Sequence, residues 1–203
     1  YSQYLQNNLW KIRDRTETVD FKNEDVRTWT MGQLIDKSKT LYLASVSGQM
    51  TKKIDVDNFA AILQKGQNTE GLRPTLYDFL AHRALDFFNN QRNNLTEPAY
   101  KFYLRDKAAF APAKEFVKAT FATKDTESGK YQAILLYQNL LKAHLEDKSP
   151  EALIDADLKR LKFVYDNIIN GDKENLYEKA LEGLGAKYLN NPAYAEIVHK
   201  LAE

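Results

Sequence analysis

Apolar side chains recur three and four residues apart through most of this sequence, and that spacing confines the fold to packed helices. In Thr75–Asn90 the series is Leu76, Phe79, Leu80, Ala84, Phe87 and Phe88. Tyr131–Leu145 repeats it with Ile134, Leu135, Leu141 and Leu145, interrupted by the polar Gln138. Glu151–Asn170 carries Ile154, Leu158, Leu161, Tyr165, Ile168 and Ile169. Further helices are expected at 2–13, 31–47, 55–64, 98–106, 112–122, 173–189 and 192–202. Strands would need a two-residue alternation, which is nowhere sustained, and Leu and Ala outnumber Val and Ile. The expected fold class is therefore all-α, with antiparallel helix pairs stacked as an irregular bundle or solenoid.

Local chemistry marks where helices begin and end. Ser149-Pro150 offers an N-cap hydroxyl followed by proline at the first helical position, where its missing N–H costs nothing. Asn191-Pro192 offers the same device, and Arg73-Pro74-Thr75 is a looser start. Gly171 is expected to end a helix in the left-handed conformation, with Asp172 as the next cap. Arg15–Thr28, Gly66–Gly71, Asn89–Asn94 and Thr123–Gly129 read as loops. The chain is taken as one all-helical region, 1–203, divisible into an irregular part, 1–125, and a repeat-like part, 126–203. In the latter, Tyr137, Leu140, Leu141 and Pro150 recur in type as Tyr177, Ala180, Leu181 and Pro192. The run from Tyr177 through Tyr188 and Pro192 to Leu201-Ala202 looks like the junction between two tetratricopeptide repeats. Such a stack predicts a terminal apolar face, read at Ile197 and Leu201, that wants a further neighbour.

Composition narrows the chemistry. The sequence has no cysteine, which removes disulfides, thiol nucleophiles and thiolate metal sites from this stretch. Its 29 basic and 28 acidic residues leave a net charge of +1, and neither half is strongly charged. A nucleic-acid partner therefore lacks its usual electrostatic footprint. No apolar run approaches the roughly 20 residues needed to cross a bilayer. The opening Tyr1-Ser2-Gln3-Tyr4, without Met or leader, and the close at Glu203 inside a helical pattern predict a piece of a longer chain.

Three histidines are the first candidates for chemistry. His82 has Asp78 and Asp86 four residues away on either side, which puts all three on one helical face. That pattern fits an acid–base or metal group less well than a charge-paired, solvated face or a histidine bonded to a neighbouring helix, because no paired-His spacing supplies further ligands. His144 and His199 lie near helix ends, where positive charge suits the dipole. Carboxylates such as Asp155/Asp157 and Glu146/Asp147 are expected to pair between helices rather than face each other in a cleft. Phosphate-binding glycine loops are absent, and Ser47-Gly48 reads as a helix terminus rather than a nucleophile elbow. Trp10-Lys11-Ile12-Arg13-Asp14-Arg15 and Tyr100-Lys101-Phe102-Tyr103-Leu104-Arg105 interleave rings with cations, which suits base stacking but suits helix packing under basic stems better. No catalytic, cofactor-binding or metal residue is assigned, and the chain is not read as an enzyme.

The segment Leu72-Arg73-Pro74-Thr75-Leu76-Tyr77-Asp78-Phe79-Leu80-Ala81-His82-Arg83-Ala84-Leu85-Asp86-Phe87-Phe88 resembles one near the start of large alpha-2-macroglobulin family proteins of Bacteroidetes. The stretch from Ser149 to Leu161 is similar to the same amino-terminal region, and Tyr4-Leu5-Gln6-Asn7-Asn8 with Trp10 and Arg13 matches more loosely. The resemblance covers about a third of the chain. It implies an exported, periplasmic or cell-envelope protease inhibitor whose thioester, where present, lies beyond this cysteine-free region. The chain would then be a non-catalytic helical scaffold ahead of the trap, contacting the macroglobulin-type remainder or an envelope protein. The competing reading is an independent tetratricopeptide-like module that binds peptides or proteins. Under either, Leu76, Phe79, Phe87, Leu158, Leu161 and Ile168 are the expected core, and Phe87→Ala should cost roughly 3–5 kcal/mol.

Overall fold

Helix formation in the computed structural model follows the three-four spacing closely. The structure describes residues 1–12, 22–64, 66–67, 69–90 and 98–202. Among these, the α-helices are α1 (Ser2–Ile12), α2 (Met31–Ser47), α3 (Leu76–Asn89) and the single turn α4 (Ala113–Phe116). They continue as α5 (Gly129–His144), α6 (Glu151–Asn167), α7 (Lys173–Lys187) and α8 (Tyr194–Ala202). Short 3-10 turns occupy Val26–Thr28, Met50–Lys53, Val56–Phe59 and Lys107–Phe110. The fold is all-α, with no strand among the described residues beyond one isolated bridge between Asp55 and Thr75.

Capping explains two of the sharpest starts. Thr75 and Asp78 form a reciprocal box, in which the Asp78 N–H donates to Thr75 Oγ1 at 3.3 Å and the Thr75 N–H donates to Asp78 Oδ2 at 2.9 Å. Thr30 and Gln33 repeat the box at the head of α2. Asn191 does not cap α8, which begins at Tyr194; its side chain accepts the Ala193 N–H at 2.9 Å in the turn just before it. Likewise, α6 starts after Pro150 with no side-chain cap, so Ser149 does not play the expected role. Gly171 is not left-handed; among the described glycines only Gly71 is, at φ 73°.

Packing follows chain order. α1 lies on α2, α2 on α3 and α3 on α5, after which α5, α6, α7 and α8 each pack on the next. The Lys107–Phe110 turn wedges against α4, α6 and α7. The resulting core centres on α3, α5 and α6, with Leu85, Leu140, Leu141, Ile154 and Leu161 essentially sealed from solvent. Of the expected core residues, Phe87, Leu158, Leu161 and Ile168 are buried, whereas Leu76 and Phe79 are only half-buried. The buried face of α3 instead runs through Tyr77, Asp78, Ala81, His82, Ala84, Leu85 and Phe88. Phe87 meets Tyr42 at a ring separation of 4.9 Å. Because Phe87 also borders an open cleft that water can fill, Phe87→Ala should cost about 3 kcal/mol, the low end of the usual range; a urea-melt difference under ~1 kcal/mol would contradict its place in the core.

Three expected helices are not formed as such. At 55–64 there is a 3-10 turn, Val56–Phe59, followed by irregular turns to Leu63; the Val56 N–H to Pro74 O at 3.1 Å and the Leu76 N–H to Ile54 O at 2.8 Å pin its start, Ile54–Val56, beside the approach to α3. Segment 98–106 is a turn closed by the Lys101 N–H to Pro98 O at 3.0 Å, followed by non-helical chain with Phe102 and Leu104 inward and Tyr103 and Arg105 outward. Asp125 Oδ2 accepts the Phe102 N–H at 2.9 Å, and Ile169 N–H donates to Leu104 O at 2.8 Å. At 112–122 the helix stops after one turn. There Gln138 Nε2 donates to Phe116 O and Ala119 O at 2.8 and 2.7 Å, so the polar break in α5 satisfies carbonyls that a longer helix would have used.

The terminal face divides. Ile197 is 0% exposed, while Leu201 is 39% exposed and Val198 is also open. α8 closes on α7 at Gly185, where an added Cβ would meet Tyr194 Cε2 at 3.3 Å and Ile197 Cγ2 at 3.5 Å. Gly183, on the same helix, would meet nothing within 4 Å. Gly183→Ala should therefore raise stability by about 0.5–1 kcal/mol through helix propensity alone. The check is a melting comparison with Gly185→Val, which should lose stability as α8 is pushed off. Equal effects of the two substitutions would refute the contrast.

Candidate functional site

The titratable side chains that the sequence brings forward gather where α3, α5 and α6 meet. His144, the last residue of α5, lies between two carboxylates: Nε2 is 2.7 Å from Asp78 Oδ1 and Nδ1 is 2.6 Å from Asp147 Oδ2. Two carboxylate acceptors, one on each ring nitrogen, make a setting that favours the doubly protonated ring, in which both nitrogens donate. Burial opposes a positive ring, but its hydrogen bonds to the Asp78 and Asp147 carboxylates outweigh burial and raise the His144 pKa. Burial likewise opposes ionisation of Asp78, yet bonds from His144 and Thr75 hold its pKa below the ordinary carboxylate value. One carboxylate thus does two jobs, capping α3 through Oδ2 and tying it to α5 through Oδ1.

His82 has the opposite character. It is buried on α3, so the expected solvated face is corrected to an interior position, and the contact to a neighbouring helix is Asp155 of α6, 3.6 Å from Nε2. That carboxylate is already held by Lys159 Nζ at 2.7 Å and approached by Arg73 at 4.0 Å. Burial, with the positive charges of Lys159 and Arg73, pushes His82 down to about 3 and leaves the ring neutral. Its ring is not paired with Asp78 or Asp86 in the way the four-residue spacing suggested.

Sequence reasoning missed the third element of this interior. Arg160 of α6 is buried with Asp157: Nε and Nη2 donate to Asp157 Oδ1 at 2.9 and 2.5 Å, and Nη1 donates to Ala109 O at 2.5 Å. The guanidinium also lies 4.6 Å from the Phe116 ring centroid. The only available signal was an Asp and an Arg three apart, on a helix that also carries Asp155, Lys159, Lys162 and Asp166. The interleaved rings divide. Phe102 is in the core, whereas Trp10 is 74% exposed with the Lys11 ammonium 4.8 Å from its centroid. Arg13 to Arg15 lie outside the described residues. Ser47 closes α2, as expected, with Gly48 as its C-cap.

Two clefts open elsewhere on the surface. One, of about 670 Å³, lies between α2, the end of α3 and the 98–102 and 124–130 segments. Lys39 spans it to the Glu127 carboxylate and carbonyl. The other, of about 530 Å³, runs between α7 and the Lys107–Glu115 segment, with Phe110, Leu153, Leu176 and Leu184 among its apolar walls. Asp78, His82, His144 and Asp155 line neither cleft. Among the described residues no group of three or more His, Asp or Glu is placed to hold a metal ion, and no helix is long and apolar enough to cross a membrane. The chain matches none of the protein-family models, curated proteins or solved structures with which it was compared.

Proposed function

We propose that this chain is a non-catalytic helical scaffold and interaction module at the amino end of a bacterial alpha-2-macroglobulin-like protease inhibitor. The observation that supports a scaffold is the use made of its interior charges. Asp78–His144, His82–Asp155 and Asp157–Arg160 sit at helix junctions, face one another and lie away from solvent. A general acid or base needs a substrate within hydrogen-bond reach, and the two histidines border neither cleft. The macroglobulin context rests on the Leu72–Phe88 resemblance, and with it come a periplasmic or cell-envelope location and a partner in the remainder of the chain or the envelope. The reading frame after Glu203 tests that context. Macroglobulin-type β-sandwich domains there would sustain it, and a stop codon or an unrelated domain would overturn it.

The succession α5, α6, α7, α8, each packed on the next, favours the second reading, a tetratricopeptide-like module. Its repeat positions Leu140, Leu141 and Leu181 are buried, and Tyr177 meets Tyr165 in a tilted contact with ring centroids 4.8 Å apart. The helix connections are 145–150, 168–172 and 188–193, short as in stacked pairs. Binding of a partner to the isolated chain, with no macroglobulin domain required, would favour this module over the scaffold.

A further inference from the structure

We infer that the cleft between α7 and the Lys107–Glu115 segment is a binding site for an acidic peptide segment bearing large apolar side chains. This deepens the interaction-module reading and rests on it. The cleft's volume of about 530 Å³ lies within the roughly 300–1,000 Å³ typical of ligand clefts. Its floor is apolar, from Phe110, Leu153, Leu176 and Leu184, and this is where an apolar anchor would be buried.

Charge selects the partner. Lys107, Lys114, Lys179 and Lys187 ring the opening, all exposed, and none forms an ion pair with a described residue. Against them stands one exposed carboxylate, Glu115, since Asp157 is buried and neutralised by Arg160. In a chain whose net charge is only +1, this is a local excess of positive charge over apolar ground. A wholly apolar partner would leave those ammonium groups unanswered, and a wholly acidic one would leave the floor exposed.

Gly183 supplies an independent observation. It lies in the C-terminal half of α7, where glycine costs helix stability, yet it has no positive φ and no neighbour within 4 Å of a Cβ. The fold does not require glycine at this position. What the missing side chain leaves open is the cleft it lines, giving an approaching chain access to the helix backbone.

The test is fluorescence anisotropy of the whole chain with a labelled heptapeptide alternating glutamate with leucine and phenylalanine. The peptide should bind at low salt and weaken roughly tenfold between about 50 and 300 mM salt. Its glutamine counterpart and its alanine counterpart should each bind at least roughly tenfold more weakly. Gly183→Trp, which fills the cleft, and the charge reversal Lys179→Glu should both weaken binding, the former by roughly tenfold or more. Lys142→Glu, a charge reversal at an exposed position outside the cleft, should keep the affinity, and circular dichroism melts confirm that each variant folds. No binding of the glutamate peptide, binding indifferent to Gly183→Trp, or preference for phosphatidylglycerol vesicles over the peptide would each overturn the assignment. If those failures occur while the chain still docks onto its downstream domains, the cleft inference falls alone; loss of that docking as well removes the interaction module.

Discussion

Arg160→Ala is expected to destabilise the protein by about 3–5 kcal/mol in urea unfolding at neutral pH, a large share of the roughly 5–15 kcal/mol available to a domain of this kind. Arg160 is 1% exposed and Asp157 3%. Removing the guanidinium would strand the Asp157 carboxylate, almost fully buried at the edge of the α7 cleft, without its counter-charge. It would also free the Ala109 carbonyl, losing the tie between α6 and the Lys107–Phe110 turn, and strip the cation from the Phe116 face. Most of the loss is the penalty of an unpaired buried charge, not the worth of the pair. The double variant Arg160→Met with Asp157→Leu should therefore recover most of it, ending within about 1–2 kcal/mol of the parent. A single variant that melts like the parent, or a double variant as weak as the single, would contradict this account of the interior.

This pair also shows what the amino-acid sequence could and could not reveal. Helices α1, α2, α3, α5, α6, α7 and α8 were legible because apolar periodicity is a property of the segment itself. The rotation of α3 was not. Hydrophobicity directs its inner face toward Leu76 and Phe79, but the helix is packed by both α2 and α5 and turns Asp78 and His82 inward. Those side chains are tolerated there only because His144 and Asp155, 66 and 73 positions further on, come to meet them. The spacing of Thr75 and Asp78 carries a capping signature, but nothing local to α3 points from Asp78 to His144, so that bond to α5 is not legible in the sequence. Segments 98–106 and 112–122 failed for a similar reason: their backbone groups are satisfied by Asp125, Ile169 and Gln138, partners that local propensity does not contain. The expectation that these carboxylates pair between helices is met by Asp155, which faces His82 of α3, whereas Asp157 and Asp147 pair with Arg160 and His144 only three positions away. That Arg160 and His144 are sealed in the interior required the tertiary structure.

The two buried histidines should give the stability curve opposite slopes on either side of pH 6.5. For His82 the unfolded value is 6.5 and the folded one about 3. As pH falls below 6.5 the unfolded chain takes up a proton that the folded chain refuses, so stability is lost with acid, up to about 5 kcal/mol over the whole interval. His144 works the other way. Its folded pKa is raised, so its contribution is fully present below 6.5 and is lost as pH rises through the folded value. Asp78, with a lowered pKa, keeps its side of that pair intact above about 3.8 and releases it only in stronger acid. Between pH 5 and 6.5 the Asp78–His144 tie is therefore constant and the acid slope belongs to His82, at about 2 kcal/mol. His82→Gln should flatten that slope by the same amount in urea midpoints at pH 5 and 6.5, while His144→Gln should leave it and instead flatten the decline above pH 6.5. In proton NMR, the His82 ring resonance should stay at its neutral shift down to pH 4. An unchanged acid slope in His82→Gln, or a His82 resonance titrating near 6.5, would show that the ring is not held neutral between Lys159 and Arg73.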